Sequence, residues 1–483
     1  MQQTMTGGIW GRFRKTFIGD RKFYRTVLAL VLPIIAQNLI SNFVNLLDNV
    51  MVGQVGTVEM SGVAIANQLI FVFNLAIFGA ISGAGIYGAQ FAGACDWEGL
   101  RQTFRFKILV VLGITAVSVG IMTFFDDPTI SLYLKGQGNA ADAAAMLHFG
   151  KQYLHIMLWG LLPFALAQSY SSTLRETGHT MLPMIASMTA VLVNLVFNYI
   201  LIYGKFGFPK LGVEGAAIAT VLSRFVELGI VAIRTHVNRK KFFFMKDVYR
   251  SFRINRKLAG SIAAKSMPLL ANELFWSLGM TTLIQIFSTC GLMVVAGLNI
   301  ASTITNLFNV FFISTGVAVG VMVGQALGAN DIALAKRHAW KLIFFSVCIC
   351  IVLGFALALS AGYIPNIYKT EPEVRRLATA FMRTSAMYMV FNGITHCCYF
   401  TMRSGGKTFI TMLFDSIFTW VICVPYTYIM VHYSGLSIDL LYPLCYLTEV
   451  LKCAIGIIVV RSGRWAKNMV ECGPEPVPEP EAP

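Results

Sequence analysis

Along the 483 residues the apolar positions gather into runs of about 20, the length with which a helix crosses a hydrocarbon core. Twelve runs are read, near 26–52, 60–88, 104–125, 150–172, 181–204, 212–233, 261–288, 294–325, 338–362, 380–402, 408–432 and 438–460. Polar residues inside them recur at helical spacing. Asn38, Ser41, Asn42, Asn45 and Asp48 are three or four apart and share one face of the first run. The pattern predicts an all-α polytopic membrane protein with 12 transmembrane helices.

Composition agrees. Residues are 56% hydrophobic and only 13% charged, and mean hydropathy is +0.67. Those values exclude a soluble enzyme, a disordered chain, a collagen and a secreted disulfide scaffold. The formal charge of +15 would suit nucleic acid, but the basic residues lie in short loops between apolar runs. With the N-terminus placed inside, cytoplasmic segments hold 28 Lys and Arg and outer loops hold 8, namely Lys135, Lys151, Lys205, Lys210, Lys369, Arg375, Arg376 and Arg383. The positive-inside rule therefore puts both termini in the cytoplasm, with no nucleic-acid partner. Most of the ten cysteines fall in apolar runs and none forms a CxxC pair, so they read as packing residues, with metal or redox chemistry the alternative. The first ~25 residues are too polar for a signal peptide, and the Pro- and Glu-rich stretch from Cys472 to Pro483 reads as a disordered end.

The chain repeats. A shift of 235 aligns Arg21-Lys22 with Arg256-Lys257, Pro33 with Pro268, Gly62 with Gly297, Gln90 with Gln325, Gly93-Ala94 with Gly328-Ala329 and Asp96 with Asp331. A shift of 228 pairs Arg175 with Arg403, Gly178 with Gly406 and Thr220 with Thr448. Two six-helix bundles follow from one duplicated unit. Because six is even they form a 6+6 parallel repeat, with an expected pseudo-twofold along the membrane normal and a cavity between the halves. The expected segments are a basic cytoplasmic N-terminus (1–25), an N-lobe (26–233), a cytoplasmic linker (234–260), a C-lobe (261–460) and a cytoplasmic tail (461–483). No nucleotide-binding motif is present, so this frame suggests a secondary transporter rather than an enzyme.

Ionisable groups at bilayer depth need a reason. In the N-lobe these are Asp48, with Asn194 and Asn198 at i, i+4 on the fifth run and Thr220 on the sixth. An acid with amide and hydroxyl oxygens suits Na⁺ or a proton site, although amide pairs also join helices. The C-lobe carries Glu273, with Ser277 and Thr281 on its face, and Asp415, with Thr419 one turn on. Two buried carboxyls suit a shared protonation site. Their repeat positions are Asn38 and Ser187, so the acids are not relics of the duplicated scaffold. His396, beside Asn392 and Tyr399, is placed to line a cavity or to sit as a satisfied interior histidine. Arg224–Glu227 and Glu449–Lys452 read as structural pairs at i, i+3. Arg175-x-x-Gly-x-Thr and Arg403-x-x-Gly-x-Thr read as tight cytoplasmic turns.

With these residues in view, the chain resembles the multidrug and toxic compound extrusion (MATE) family from about residue 21 to 465. The likeness is carried by Asp48-Asn-Val-Met-Val-Gly-Gln-Val-Gly56, Arg175-Glu-Thr-Gly178, Gly212-Val-Glu-Gly-Ala-Ala-Ile-Ala-Thr220 and Gly324-Gln-Ala-Leu-Gly328 on the 6+6 frame. The resemblance implies a multi-pass antiporter of a bacterial plasma (inner) membrane. It would export amphipathic, often cationic organic compounds against inward H⁺ or Na⁺, with no other cofactor. Asp48 matches the family's first-span acid, with Asn194 and Thr220 as companions, whereas Asn198 stands where some members have an Asp. Glu273 and Asp415 match C-lobe acids, which makes the C-lobe the expected coupling site with Asp48 assisting. Asn42, Asn45, Ser277, Asn392, His396 and Tyr399 are expected cavity-lining residues, and the chain is expected to work as a monomer. The alternative is a lipid-linked saccharide flippase on a related frame. That reading wants a basic cavity for pyrophosphate, and the N-lobe runs hold no Arg cluster.

Overall fold

A computed structural model describes residues 13–14, 16–124 and 140–470. The side chains of residues 44–46, 49–50 and 140–143 lie outside the described residues, and with them the expected cavity residue Asn45. Lys135 and the tail from Cys472, expected to be disordered, also lie outside them.

Every expected span is a helix. They are α1 (Arg21–Gly53), α2 (Thr57–Gly93), α3 (Trp97–Phe124), α4 (Ala140–Glu176), α5 (Met181–Tyr203), α6 (Gly212–Val237), α7 (Arg256–Ser288), α8 (Leu292–Gly328), α9 (Ile332–Ser360), α10 (Pro372–Ser404), α11 (Thr408–Tyr433) and α12 (Ile438–Ser462). A helix satisfies its own backbone, which lipid cannot do. Among the described residues nine of these are long and apolar enough to cross a membrane by length and composition alone. The other three, α4, α7 and α10, carry interior charges such as Lys151, Glu273 and Arg383. Large apolar side chains, among them Trp159, Ile233, Phe355 and Ile458, face outward from the helices, as a lipid-facing surface requires.

The described residues form two compact units. One takes the chain up to Ile35, Ala89–Asp96 and everything from Ala271 on; the other takes Ala36–Gly88 and Trp97–Leu270. The divisions fall two residues past Pro33 in α1 and two past Pro268 in α7, the repeat-equivalent prolines.

In the unit built on residues 97–270, Val52, Ala66, Phe73 and Ile77 pack against Leu154, Leu161, Ile202 and Ala217. Small residues let backbones approach. A Cβ on Gly62 would meet the Met146 carbonyl at 2.6 Å, and one on Gly215 would meet that of Leu201 at 2.7 Å. The charged linker is folded against this unit. Phe244, Met245 and Val248 are buried, and Arg105 Nε donates to the Val248 carbonyl at 2.7 Å.

In the other unit, Leu357, Phe381, Met382, Met389 and Leu441 form the core. Its α2–α8 contact is reciprocal: a Cβ on Gly93 would strike the Gln325 backbone, and one on Gly328 the Gln90 backbone. Gly93 with Gly328 and Gln90 with Gln325 are the same positions of the two repeats, so the helix ends meet as symmetry mates. Gln90 is wholly buried and donates to the carbonyls of Ser404 (2.9 Å) and Lys467 (3.2 Å), while the Met469 amide donates back to it at 2.7 Å. Trp465, only 2% exposed, donates to the Val460 carbonyl at 2.9 Å. The first part of the segment read as a tail is thus folded chain. The two Arg-x-x-Gly turns form as read: Gly178 and Gly406 have φ of 82° and 71°, and the following amides reach back to Leu174 and Met402.

Candidate functional site

The N-lobe residues singled out in sequence meet. Asp48 on α1 is half-buried, and Asn198 on α5, 1% exposed, donates to its Oδ1 at 2.6 Å. One terminal atom of the Asn194 amide lies 3.0 and 3.1 Å from the two carboxylate oxygens. With nitrogen there, the amide donates to an ionised carboxylate, and its oxygen accepts from Thr220 Oγ1 at 3.2 Å. With oxygen there, it accepts from Asn198 Nδ2 at 3.2 Å while Asn194 Nδ2 donates to Thr220 Oγ1 at 3.2 Å. The nitrogen orientation gives both amide atoms matching partners; an amide turned the other way would set two acceptor oxygens face to face, which only a proton or a monovalent cation between them would satisfy. Asn198 Oδ1 is buried without a hydrogen-bond partner. The close α5–α6 approach at Gly215 brings Thr220 within reach of Asn194.

A second polar chain lies nearby in sequence on the same helices. Gln37 donates to Ser187 Oγ at 2.7 Å, and Ser187 donates to Glu227 at 2.5 Å. Arg224 lies in the field of Glu227, as the i, i+3 spacing implies, but makes no hydrogen bond to it; it donates to the Gly160 carbonyl at 3.4 Å and lies 5.0 Å over the Phe164 ring.

The C-lobe repeats this chain with charge added. Asn272, the repeat mate of Gln37, donates to Asp415 Oδ2 at 3.0 Å, and Asp415 is the repeat mate of Ser187. Lys452, the mate of Arg224, donates to Asp415 Oδ1 at 2.7 Å. The expected partner Glu449 remains in the field of Lys452, but the hydrogen bond goes to Asp415, which the register of α11 on α12 presents to it. Lys452 is 6% exposed and lies within 6 Å of the Phe414 and Phe418 rings (5.7 and 5.9 Å). Asp415 sits where α11 widens into π-helical turns over Leu413–Ile417 and Thr419–Cys423, ahead of Pro425. Ser416 gives its hydroxyl hydrogen to the Asn272 carbonyl or to Oδ1 of the same residue, each at 2.7 Å, and Trp420 donates to the Phe275 carbonyl at 2.8 Å. These bonds fix α11 on α7.

Tyr399 accepts from Asn272 at 3.4 Å and lies in the field of Arg403. Glu273 is half-buried, makes no side-chain hydrogen bond among the described residues, and lies in the fields of Arg403 and Asp415. His396 stands edge-on to Phe312 at 4.9 Å. The side chains of Asn42, Ser277 and Asn392 make no hydrogen bond to either cluster among the described residues.

One buried group escaped the sequence reading. Lys107, at the start of the third span and counted with the cytoplasmic charges, is 1% exposed. Its Nζ donates to both Glu176 oxygens (2.6 and 2.7 Å), Ser172 Oγ (3.2 Å) and Thr173 Oγ1 (3.0 Å). Gly85 and Gly88 make room, since a Cβ on either would run into the Glu176 carboxylate. The available signal was those two glycines on α2.

Comparison with known proteins fits this arrangement. A family model described as MatE matches residues 33–200 and 268–429. A probable multidrug resistance protein NorM of Thermotoga maritima is 25% identical over 452 residues, covering 92% of this chain and 94% of its own. The multidrug resistance protein MdtK of Photorhabdus laumondii is 25% identical, covering 84% and 87%. A crystal structure described as MATE in the straight conformation superposes with a TM-score of 0.82 at 20% identity, over 95% of this chain and 98% of that one. One described as MATE in the bent conformation gives 0.79 at 20% identity, over 92% and 96%.

Proposed function

The chain belongs to the MatE family, and from that premise we propose that it is a cation-coupled antiporter exporting amphipathic, often cationic organic compounds by alternating access. The names of its relatives as multidrug resistance proteins support the substrate class. The proposed frame is a bacterial plasma membrane with both termini cytoplasmic, and lobes over 26–233 and 261–460 joined by 234–260.

The observation that carries this reading is the cluster of Asp48, Asn194, Asn198 and Thr220. It holds one carboxylate among neutral amides and a hydroxyl, so a single H⁺ or Na⁺ neutralises it. Loading turns the Asn194 amide from donating to Asp48 to accepting at the bound cation, and Thr220 changes its role in step. A cationic substrate that prefers the ionised site and a coupling ion that prefers the loaded one then compete. Competition of this kind supplies the differential affinity that switches a two-state protein.

The C-lobe acids divide. Asp415 already has an ammonium at 2.7 Å, so a mobile cation would have to displace a tethered one. Glu273 has no such partner, lying in the field of Arg403 and near Tyr399, and is the C-lobe group left to meet substrate or ion. We therefore move the weight of coupling from the C-lobe to Asp48.

The test is transport of a cationic dye in proteoliposomes under separately imposed H⁺ and Na⁺ gradients. Gradient-driven transport is expected to fall at least about tenfold in Asp48→Asn, the loss of one productive charge interaction, and less in Glu273→Gln. Undiminished transport in Asp48→Asn would return coupling to Glu273. The effective gradient names the ion.

A further inference from the structure

Arg375, Thr379 and Arg383 recur every four residues and share one face of the first turns of α10. With Asn366, Pro372 and Arg376 they line a concavity of about 530 Å³. Arg376 is committed: it donates to both Glu373 oxygens at 2.7 and 2.9 Å and to Asp439 at 2.9 Å. Thr379 gives its hydroxyl hydrogen to the Ala361 or Arg375 carbonyl, at 3.0 and 2.9 Å. Arg375 and Arg383 form no ion pair among the described residues, and Arg375 Nε is buried with no acceptor.

Two physical effects oppose cations at this place. The first turn of a helix is the positive end of its dipole, so Arg375 and Arg376 sit where acids are favoured. In the topology proposed above, Lys369, Arg375, Arg376 and Arg383 are also half of the eight basic residues on the outer side, which the positive-inside rule keeps poor in them. An oxyanion reverses both. In this pocket it accepts from the Arg375 and Arg383 guanidinium groups, which have no carboxylate partner among the described residues.

We propose that this pocket binds a phosphate oxyanion, either free or as the headgroup of an anionic lipid. Arg375 and Arg383 are the ligating side chains; Arg376 stands beside them with its donors taken by Glu373 and Asp439. The site shares no residue with the Asp48 or Asp415 clusters, and its occupancy does not depend on the transport reading.

The full chain in detergent would be titrated with inorganic phosphate by calorimetry at low ionic strength, as wild type, Arg375→Gln and Arg383→Gln. The same proteins in nanodiscs would be assayed by native mass spectrometry for retention of phosphatidylglycerol over phosphatidylcholine. Saturable phosphate binding weakened at least about tenfold in each variant supports a free oxyanion, that being the scale of one lost charge-assisted pair. Anionic-lipid retention lost in the variants, without phosphate binding, supports a headgroup. Arg375→Lys keeps the charge but not the fork, and its intermediate binding would show that a Gln variant fails through recognition and not through folding. Neither ligand bound by wild type, or both bound equally by the Arg375→Gln/Arg383→Gln double variant, overturns the proposal.

Discussion

Lys107 and Lys452 are both ammonium groups inside helix bundles, 1% and 6% exposed, and each is satisfied by a carboxylate from another helix. Taking such a charge out of water is expensive, and the partner offsets that only while both are present. Lys107→Met leaves Glu176 buried and unpaired, so it is expected to destabilise by about 3–5 kcal/mol. The double variant Lys107→Met/Glu176→Leu should recover most of the loss. Thermal unfolding in detergent, followed by circular dichroism, reads both; equal losses in the single and double variants would mean the pair is not what holds α3 to α4. Asp48 belongs to a different class. Its neighbours are amides and a hydroxyl rather than a fixed cation, so its charge is free to be neutralised by something that comes and goes.

At the scale of elements, close backbone approach decides where these groups stand. Gly215 seats α6 on α5, Gly85 and Gly88 seat Glu176 against α2, and the Gly93–Gln325 and Gly328–Gln90 contacts lock two helix ends as mates of one duplication. Gly328→Val inserts atoms where the Gln90 backbone already lies. Overpacking of this kind costs about 1–3 kcal/mol, and the helix ends must also part, releasing the Gln90 bonds to Ser404 and Lys467. A lowered melting temperature with faster proteolysis near Trp465 is expected, and an unchanged melting temperature would contradict the locking role. The repeat made Gly93 and Gly328 visible in sequence as aligned positions; what they touch was set by packing. The same holds for the linker. The segment from Arg234 to Lys265, with ten basic residues, read only as a cytoplasmic linker, and the buried Phe244 and Val248 that fasten it to α3 gave no periodic signal of their own.

Across the whole molecule, the twelve spans and the duplication were legible because apolar run length and a constant shift are properties of the chain alone. The N-lobe cluster was legible too: Asp48, Asn194, Asn198 and Thr220 are uncommon residue types in lipid, and the structure brings all four together. Partner choice was not. Sequence spacing paired Lys452 with Glu449 and Arg224 with Glu227, and each pair stays in mutual field, yet α11–α12 register gives the hydrogen bond of Lys452 to Asp415 and α5–α6 register gives that of Glu227 to Ser187. That exchange moves the proposed coupling from one lobe to the other, since it fills Asp415 with a tethered cation and leaves Asp48 to trade a mobile one.

The most direct measurement of that trade is the release of H⁺ or Na⁺ from the purified chain when a cationic dye is added to a lightly buffered solution. The account predicts about one cation released per chain in the wild type, the number that one carboxylate can hold, and none in Asp48→Asn. Release that persists undiminished in Asp48→Asn would contradict it.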